Sequence, residues 1–259
     1  MEETSVMEMQ QVAVASAGPK KIVRAEDVNW SVAAKDFWVV GGLPGAGKSD
    51  LLATAAGLIP PERGKHTLFG KEANALTEEE LVELRARIGF VFSYGGRLFQ
   101  HLTVAENVAL PICYHQNISP AEAANRVEPI VELAGLSEYG HLRPDWVPRY
   151  LHPRVALARA MALAPDLLFL DNPLAGLAPR ESRWWLDLLD QLAAGHPLFE
   201  KKPMTLVVGT DHLRPWREHG RQFALIQDKH WFALGDRAAL SSISNPLARE
   251  LLTAEGFGN

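Results

Sequence analysis

The chain of 259 residues has one cysteine, Cys113. A lone thiol can form neither an internal disulfide nor a cysteine-based metal cluster. It has no basic surplus: 26 Lys and Arg stand against 31 Asp and Glu, a formal net charge of −5. No global positive field therefore exists to hold nucleic acid or an anionic membrane surface. It also lacks any uninterrupted apolar run of about 18 residues, which excludes a membrane-spanning helix, so a membrane role has to come through a partner. The first residues carry no charge pattern of a secretory leader, which with the lone cysteine leads us to expect a reducing, cytoplasmic setting. The nine histidines show no spacing such as H-E-x-x-H, so no zinc site is expected. Neither repeats nor low-complexity segments occur. What is present is an ordinary globular composition, 47% hydrophobic, 22% charged and 8% aromatic.

Short apolar runs recur along the chain. Phe37-Trp38-Val39-Val40 ends in Gly41-Gly42, as a buried parallel strand ends before a turn. Ile88-Gly89-Phe90-Val91-Phe92, Leu167-Leu168-Phe169-Leu170, Leu206-Val207-Val208 and Phe223-Ala224-Leu225-Ile226 are of the same type. Residues 11–16 read as an edge strand at best. Helix signals lie between the runs. Thr77-Glu78-Glu79-Glu80 is a capping box with Leu81, Leu84 and Ile88 behind it at helical spacing. Ser119-Pro120-Ala121-Glu122 is a second box, opening a helix that heads toward Gly135 and that Pro129 should kink. Residues 179–195 read as a third helix with Trp184, Leu188 and Leu192 on one stripe. Strands alternating with helices predict an α/β layered domain with a mainly parallel sheet.

The sharpest signal is Gly42-Leu43-Pro44-Gly45-Ala46-Gly47-Lys48-Ser49, which matches G-x-x-x-x-G-K-S at every fixed position. It follows an apolar strand and opens a helix at Leu51-Leu52, the context this phosphate loop requires. The glycines let successive backbone N–H groups point at one phosphate, and the helix adds its positive dipole end. Lys48 would neutralise β/γ-phosphate charge and Ser49 would hold Mg²⁺. Asp50 is out of character, because a carboxylate beside the α-phosphate weakens anion binding unless something compensates it. A second metal carboxylate is needed at the end of a neighbouring buried strand, and Asp171 after Leu167-Leu168-Phe169-Leu170 supplies it.

With these motifs in hand, residues from about 28 to about 213 resemble the nucleotide-binding subunits of ABC transporters. Ile88 to Phe92 followed by Leu98-Phe99 and by Leu102 to Pro111 looks like the segment leading into that family's helical subdomain. Val155-Ala156-Leu157-Ala158-Arg159-Ala160 looks like the helix after the family signature. Leu170-Asp171-Asn172-Pro173-Leu174-Ala175-Gly176-Leu177 looks like the second nucleotide motif with its following loop. The wording Gly95-Gly96-Arg97-Leu98-Phe99 and Glu106-Asn107-Val108-Ala109-Leu110-Pro111 is most similar to the ATPases of Mla/Mce-type lipid transporters. The resemblance implies a P-loop NTPase (RecA-like) fold with an inserted helical subdomain, and ATP with Mg²⁺ as the bound species. As partners it implies a second nucleotide-binding subunit, self or paralogue, and transmembrane permease subunits that would place the chain on the inner face of the membrane. We expect one such domain, with a sheet core at about 12–92 and 165–259 and helices at about 93–164.

The departures from the family pattern are extensive. A glutamine is expected where Ser93 stands, and Ser is too short to touch both metal and water. The signature Leu-Ser-Gly-Gly-Gln falls on Val147-Pro148-Arg149-Tyr150-Leu151, which removes the small residues that let backbone N–H groups approach a partner's phosphate. Asn172 replaces the glutamate that polarises water; an amide can orient water but cannot take its proton, so general-base help worth ~10²–10⁴ in rate should be missing. Ala178 replaces the aspartate of the next loop. Asp211 occupies the place of the histidine that senses the terminal phosphate, with His212 one place late. Residues 12–22 contain no aromatic to stack on adenine.

Such groups act as a unit, so losing the set should leave little chemistry. The leading expectation is a pseudo-ATPase that binds Mg-ATP with weak or no hydrolysis. The alternative is an active ATPase in which Asn172, His212 or Gln100 substitutes by another geometry. A soluble family member acting on nucleic acid is disfavoured by the single phosphate loop and the acidic balance. The loop at 94–110, with Tyr94 and Arg97, is the expected contact with a membrane subunit. Of Trp184 and Trp185, the first is expected to cover the sheet and the second to face outward. Cys113 should be a small core residue, and Arg149, His152 and Arg154 a solvated cationic loop.

Overall fold

The computed structural model describes residues 5–17 and 20–253. In chain order its elements are β1 Ser5–Ala15, β2 Val23–Ala33, β3 Phe37–Gly41, α1 Lys48–Ala55, β4 Arg63–Leu68, β5 Lys71–Glu72, α2 Glu78–Arg85, β6 Ile88–Val91, α3 Val104–Gln116, α4 Pro120–Leu133, α5 His152–Met161, β7 Leu167–Asp171, α6 Pro179–Ala194, β8 Thr205–Thr210, β9 Gln222–Gln227, β10 His230–Asp236 and α7 Pro246–Thr253. They build a mixed, mostly parallel sheet of ten strands in the order β5-β4-β1-β2-β10-β9-β3-β8-β7-β6. From β9 to β6 all neighbours are parallel, with Val39 opposite Val208 and Phe223, and Phe169 opposite Val207 and Phe90. Strand β10 pairs antiparallel with β9 and parallel with β2, and the antiparallel flank β2, β1, β4 and β5 completes the sheet.

The apolar runs of the parallel strands divide between two cores by simple alternation. Phe37, Val39, Leu168, Leu170, Leu206 and Val208 point into one face, packed under α3, α4, α5 and α6. Trp38, Val40, Leu167, Phe169 and Val207 point into the other, against α1 and the antiparallel flank. A strand buried on both faces has no polar side to spare, which is why these segments read as unbroken hydrophobic runs.

Several expectations need correcting here. Residues 11–16 are not an edge: β1 is eleven residues long and lies between β2 and β4, with Val12 and Val14 fully buried. Its positive-φ Gln11 and register shifts broke the alternation that would have revealed it. Ile88 does not continue the helical stripe of α2, which stops at Arg85, and starts β6 instead. The helix expected after Ser119 forms as α4, with Pro129 inside it. On α6 the buried stripe is Trp185, Leu188, Leu189 and Leu192, so Trp185 and not Trp184 covers the sheet. Trp184 is half-buried, with the Arg154 guanidinium 3.6 Å from its ring centre. Arg154 itself is buried, donating to Glu181 at 2.5 Å and to the Ala134 carbonyl at 3.4 Å. His152 lies within 3.1 Å of the Pro144 carbonyl, which leaves Arg149 as the exposed member of the supposed cationic loop. Cys113 is half-buried and packs against the helical core. Both expected capping boxes close, and a third at Thr103 and Glu106 starts α3.

One buried ionisable side chain ties the antiparallel flank to α1. His66 on β4 is 1% exposed, and its Nε2 lies 3.2 Å from the Ala55 carbonyl at the end of α1. The carbonyl can only accept, so Nε2 carries the proton of the neutral ring. Burial lowers the His66 pKa to about 4, outweighing the opposing pull of the Ala55 carbonyl. Its folded value therefore lies below the unfolded value, and the unfolded chain binds the proton more readily. The corresponding stability is present in full above pH ~6.5 and drains away as pH falls toward about 4, by roughly 3 kcal/mol at most. Denaturant unfolding of the wild type and of His66→Gln at about pH 7.5 and about pH 4.5 checks this: the acid-induced loss should be smaller in the variant by about 2–3 kcal/mol.

Candidate functional site

The parallel strands β3, β7 and β8 end side by side, and their carboxyl ends assemble the site. After Gly41 the chain turns through residues 42–47 into α1. Two conformations in this turn require glycine. Gly45 has φ +81°, and Gly47, the N-cap of α1, has φ +100° with room for no side chain, since a Cβ would stand 2.6 Å from Cβ of Arg24. The first N–H groups of α1 have no partner within the helix and carry the positive end of its dipole at the loop. A cavity of about 600 Å³ opens along the flank of the loop, walled by Ile22, Arg24, Leu43, Lys229 and Leu247 among others.

Lys48 is buried, and its ammonium donates to the Gly42 carbonyl at 2.8 Å and the Leu43 carbonyl at 2.9 Å. The third partner is the Asp211 carboxylate, whose Oδ1 lies 2.7 Å from Nζ. The other Asp211 oxygen accepts from Asn172 Nδ2 at 2.6 Å. Asn172 follows the last residue of β7 with φ +48°, a left-handed conformation that asparagine tolerates better than most residues, and its N–H donates to the Gly209 carbonyl on β8 at 2.8 Å. Thr210 Oγ1 fixes the turn after β8 by accepting from the His212 N–H and from Trp216 Nε1, both at 3.2 Å. That turn places Asp211, and not His212, on the lysine.

Asp171, the last residue of β7, is 5% exposed. Burial pushes its carboxyl above the usual carboxylate range, opposed by a hydrogen bond from the Ser49 hydroxyl, the Lys48 charge and the Ser93 backbone N–H, while the Asp211 charge adds to the rise. A hydroxyl against a carboxylate suits a hard divalent cation. Among the described residues no group of three or more His, Cys, Asp or Glu side chains could hold a metal, so an ion here would draw its other ligands from phosphate and water. Ser93 reaches Asp171 through its main chain, which the sequence pattern gave no way to see.

The other candidates fall as follows. Gly42, Leu43, Pro44, Gly45, Ala46, Gly47, Lys48 and Ser49 form the turn and the start of α1. Asp50 lies in the first turn of α1 and forms an ion pair with Arg24 at 3.4 Å, so its charge is offset by a residue the motif reading did not single out. Gln100 is exposed and its amide reaches the Leu98 carbonyl of its own loop. At the position of the family signature the structure has a short helical turn, Arg149–Leu151, with Tyr150 exposed.

Comparison with known proteins agrees with this geometry. The family described as ABC transporter matches residues 25–175. The "Methionine import ATP-binding protein MetN" of Clostridioides difficile is 29% identical over 238 residues, covering 92% of this chain and 71% of that protein. The "Probable ribonucleotide transport ATP-binding protein mkl" of Mycobacterium leprae is 27% identical over 233 residues, 90% of this chain and 65% of that protein. The chain thus spans about two thirds of the length of these relatives. Among solved structures, the ATP-binding cassette MJ0796, a dimer bound to ADP and Pi, superposes with a TM-score of 0.75 at 27% identity, covering 86% of this chain and 95% of that one. The matched family, the ten-stranded cassette sheet and the phosphate loop at the end of β3 together show that the chain belongs to the ABC transporter family and has the ABC cassette fold.

Proposed function

We propose that the chain is the nucleotide-binding subunit of an ABC transport complex, holding a magnesium nucleotide at residues 42–49 with Asp171, and that it hydrolyses ATP weakly or not at all. The observation that carries the second half is the bond between Asn172 and Asp211. Where attacking water needs a base to accept its proton, the strand end offers an amide whose Nδ2 is already committed to a carboxylate. General-base assistance worth ~10²–10⁴ in rate has no group to supply it. His212 does not substitute, because the turn that Thr210 stabilises puts Asp211 on the lysine instead.

In this reading Lys48 and the first N–H groups of α1 bind phosphate, Ser49 and Asp171 hold the cation, and a nucleotide-controlled closing against a second subunit, self or paralogue, would transmit state rather than power. Membrane-embedded permease subunits complete the complex. A lipid cargo is the extension suggested by the wording of residues 95–99 and 106–111. The related proteins are named for methionine and for ribonucleotides, so the cassette alone does not select a cargo.

In the same reading the docking edge is the loop around Tyr94 and Arg97, and its packing supports that. Gly95 lies so close to the start of α5 that a Cβ would meet the His152 carbonyl carbon at 2.9 Å, and Arg159 donates to the Arg97 carbonyl at 3.0 Å. The pinned loop turns Tyr94 outward, 74% exposed, with Arg97 exposed beside it.

Two measurements test this reading. Phosphate release from Mg-ATP by the purified chain should stay near background and be no lower in Lys48→Ala. Asn172→Glu alone should not restore it, since the new carboxylate would face Asp211. Turnover on the order of 1 s⁻¹ or faster that vanishes in Lys48→Ala would overturn the weak-hydrolysis reading. For docking, Arg97→Glu combined with Tyr94→Ala should reduce co-purification with the membrane subunit at least about tenfold, with thermal stability unchanged as expected of surface substitutions.

A further inference from the structure

In a phosphate loop the lysine serves the β- and γ-phosphates. In this chain the ammonium has three partners: it donates to the Gly42 and Leu43 carbonyls, and it forms an ion pair with Asp211 Oδ1 at 2.7 Å. The first two belong to the loop itself and set its curl. The third comes from the strand-end side, from the residue after β8, and it is a carboxylate: an anion presenting oxygen to the lysine, as a phosphate group would.

This anion is held in place. Asn172 grips its second oxygen at 2.6 Å. Asn172 is itself tied by its backbone to Gly209, and the chain after Asp211 is fixed through Thr210 to His212 and Trp216. With its side chain 24% exposed and the lysine 6% exposed, the pair lies largely out of solvent, where unpairing either charge is unfavourable. Asp171 lies close enough for the Asp211 charge to raise its proton affinity. A terminal phosphate arriving here would meet two carboxylates, one of them already paired with the lysine.

The N–H groups that open α1 are a different matter. They belong to Lys48, Ser49 and Asp50, have no intrahelical partner, and are not the groups that Asp211 engages. The loop therefore retains donors for phosphates nearer the nucleoside while the outermost position is taken.

We propose that the site selects a nucleoside diphosphate over a triphosphate, with Asp211 standing in for the terminal phosphate and Asn172 positioning it; this rests on the reading of residues 42–49 as a nucleotide-binding loop. Asp211 is then a specificity-determining residue, and the matched pair of Asn172 and Asp211 has a common purpose that neither substitution has alone. A subunit of this kind reports the presence of a diphosphate instead of consuming a triphosphate.

The test is calorimetric titration of the full chain with Mg-ADP and with a magnesium complex of a non-hydrolysable ATP analogue, in the wild type and in Asp211→Ser and Asp211→Asn, each checked for cooperative unfolding. The wild type should bind the diphosphate at least tenfold more tightly. Asp211→Ser should strengthen the triphosphate analogue at least tenfold while moving the diphosphate by less than threefold, and Asp211→Asn should lie between. Equal affinities in the wild type, or preference for the triphosphate, would overturn diphosphate selection and leave the nucleotide-binding reading standing. A ratio unmoved by Asp211→Ser would remove Asp211 from the role. Binding of neither nucleotide by any of the three proteins would overturn both readings at once. The comparison within the wild type needs no variant to fold.

Discussion

The site depends on where the Lys48 ammonium is allowed to be. A buried cation must find anionic or carbonyl partners, and the cost of leaving it unpaired constrains everything within reach. Two partners are carbonyls of the loop that the lysine closes, so the ammonium shapes the loop from inside. The third, Asp211, joins that loop to the end of β8, and Asn172 extends the connection to the end of β7. Three neighbouring strand ends are thereby tied through one charge. In open α/β sheets such strand ends are where ligands bind, because the strands' own hydrogen bonding stops there and the next element must start afresh.

The sheet makes that junction rigid. Its central strands are apolar on both faces, and alternation sends successive residues into two separate cores, one under α3, α4, α5 and α6 and one against α1 and the antiparallel flank. A strand anchored on both faces cannot slip by one residue without exchanging its entire set of contacts. Asp171 and Thr210 are consequently delivered to the same edge with their side-chain directions already determined.

Two substitutions that look damaging in isolation have local partners. Asp50 in the first turn of α1 is offset by Arg24 from β2, the same arginine whose Cβ leaves no room for a side chain at Gly47. Asp211, unfavourable beside a phosphate, is favourable beside a lysine, and Asn172 supplies it with a donor where a glutamate would have supplied repulsion. The replaced positions behave as a connected polar network, in which the worth of each member depends on the others being present.

Much of this architecture was legible in the chain itself. The five apolar runs, the capping boxes at Thr77 and Ser119 and the phosphate loop are local patterns, and each appears where its period or spacing places it, because local sterics and backbone hydrogen bonding decide it. The missed strands β2, β4, β5 and β10 carry mixed residues and bury a minority of their side chains or none, with no regular alternation along any whole strand, so their signal is weak until a neighbour pairs with them. Trp185 could not be told from Trp184 because both lie within one helical turn of the stripe and only the position of the sheet chooses between them. The residues of the site were named one by one from motif positions, but their partners were not: Arg24 with Asp50, Ser93 through its N–H with Asp171, and above all Lys48 with Asp211 and Asn172. Those pairings join residues 26 to 163 positions apart, and such distances in the chain become contacts only when the order of strands in the sheet brings their ends together.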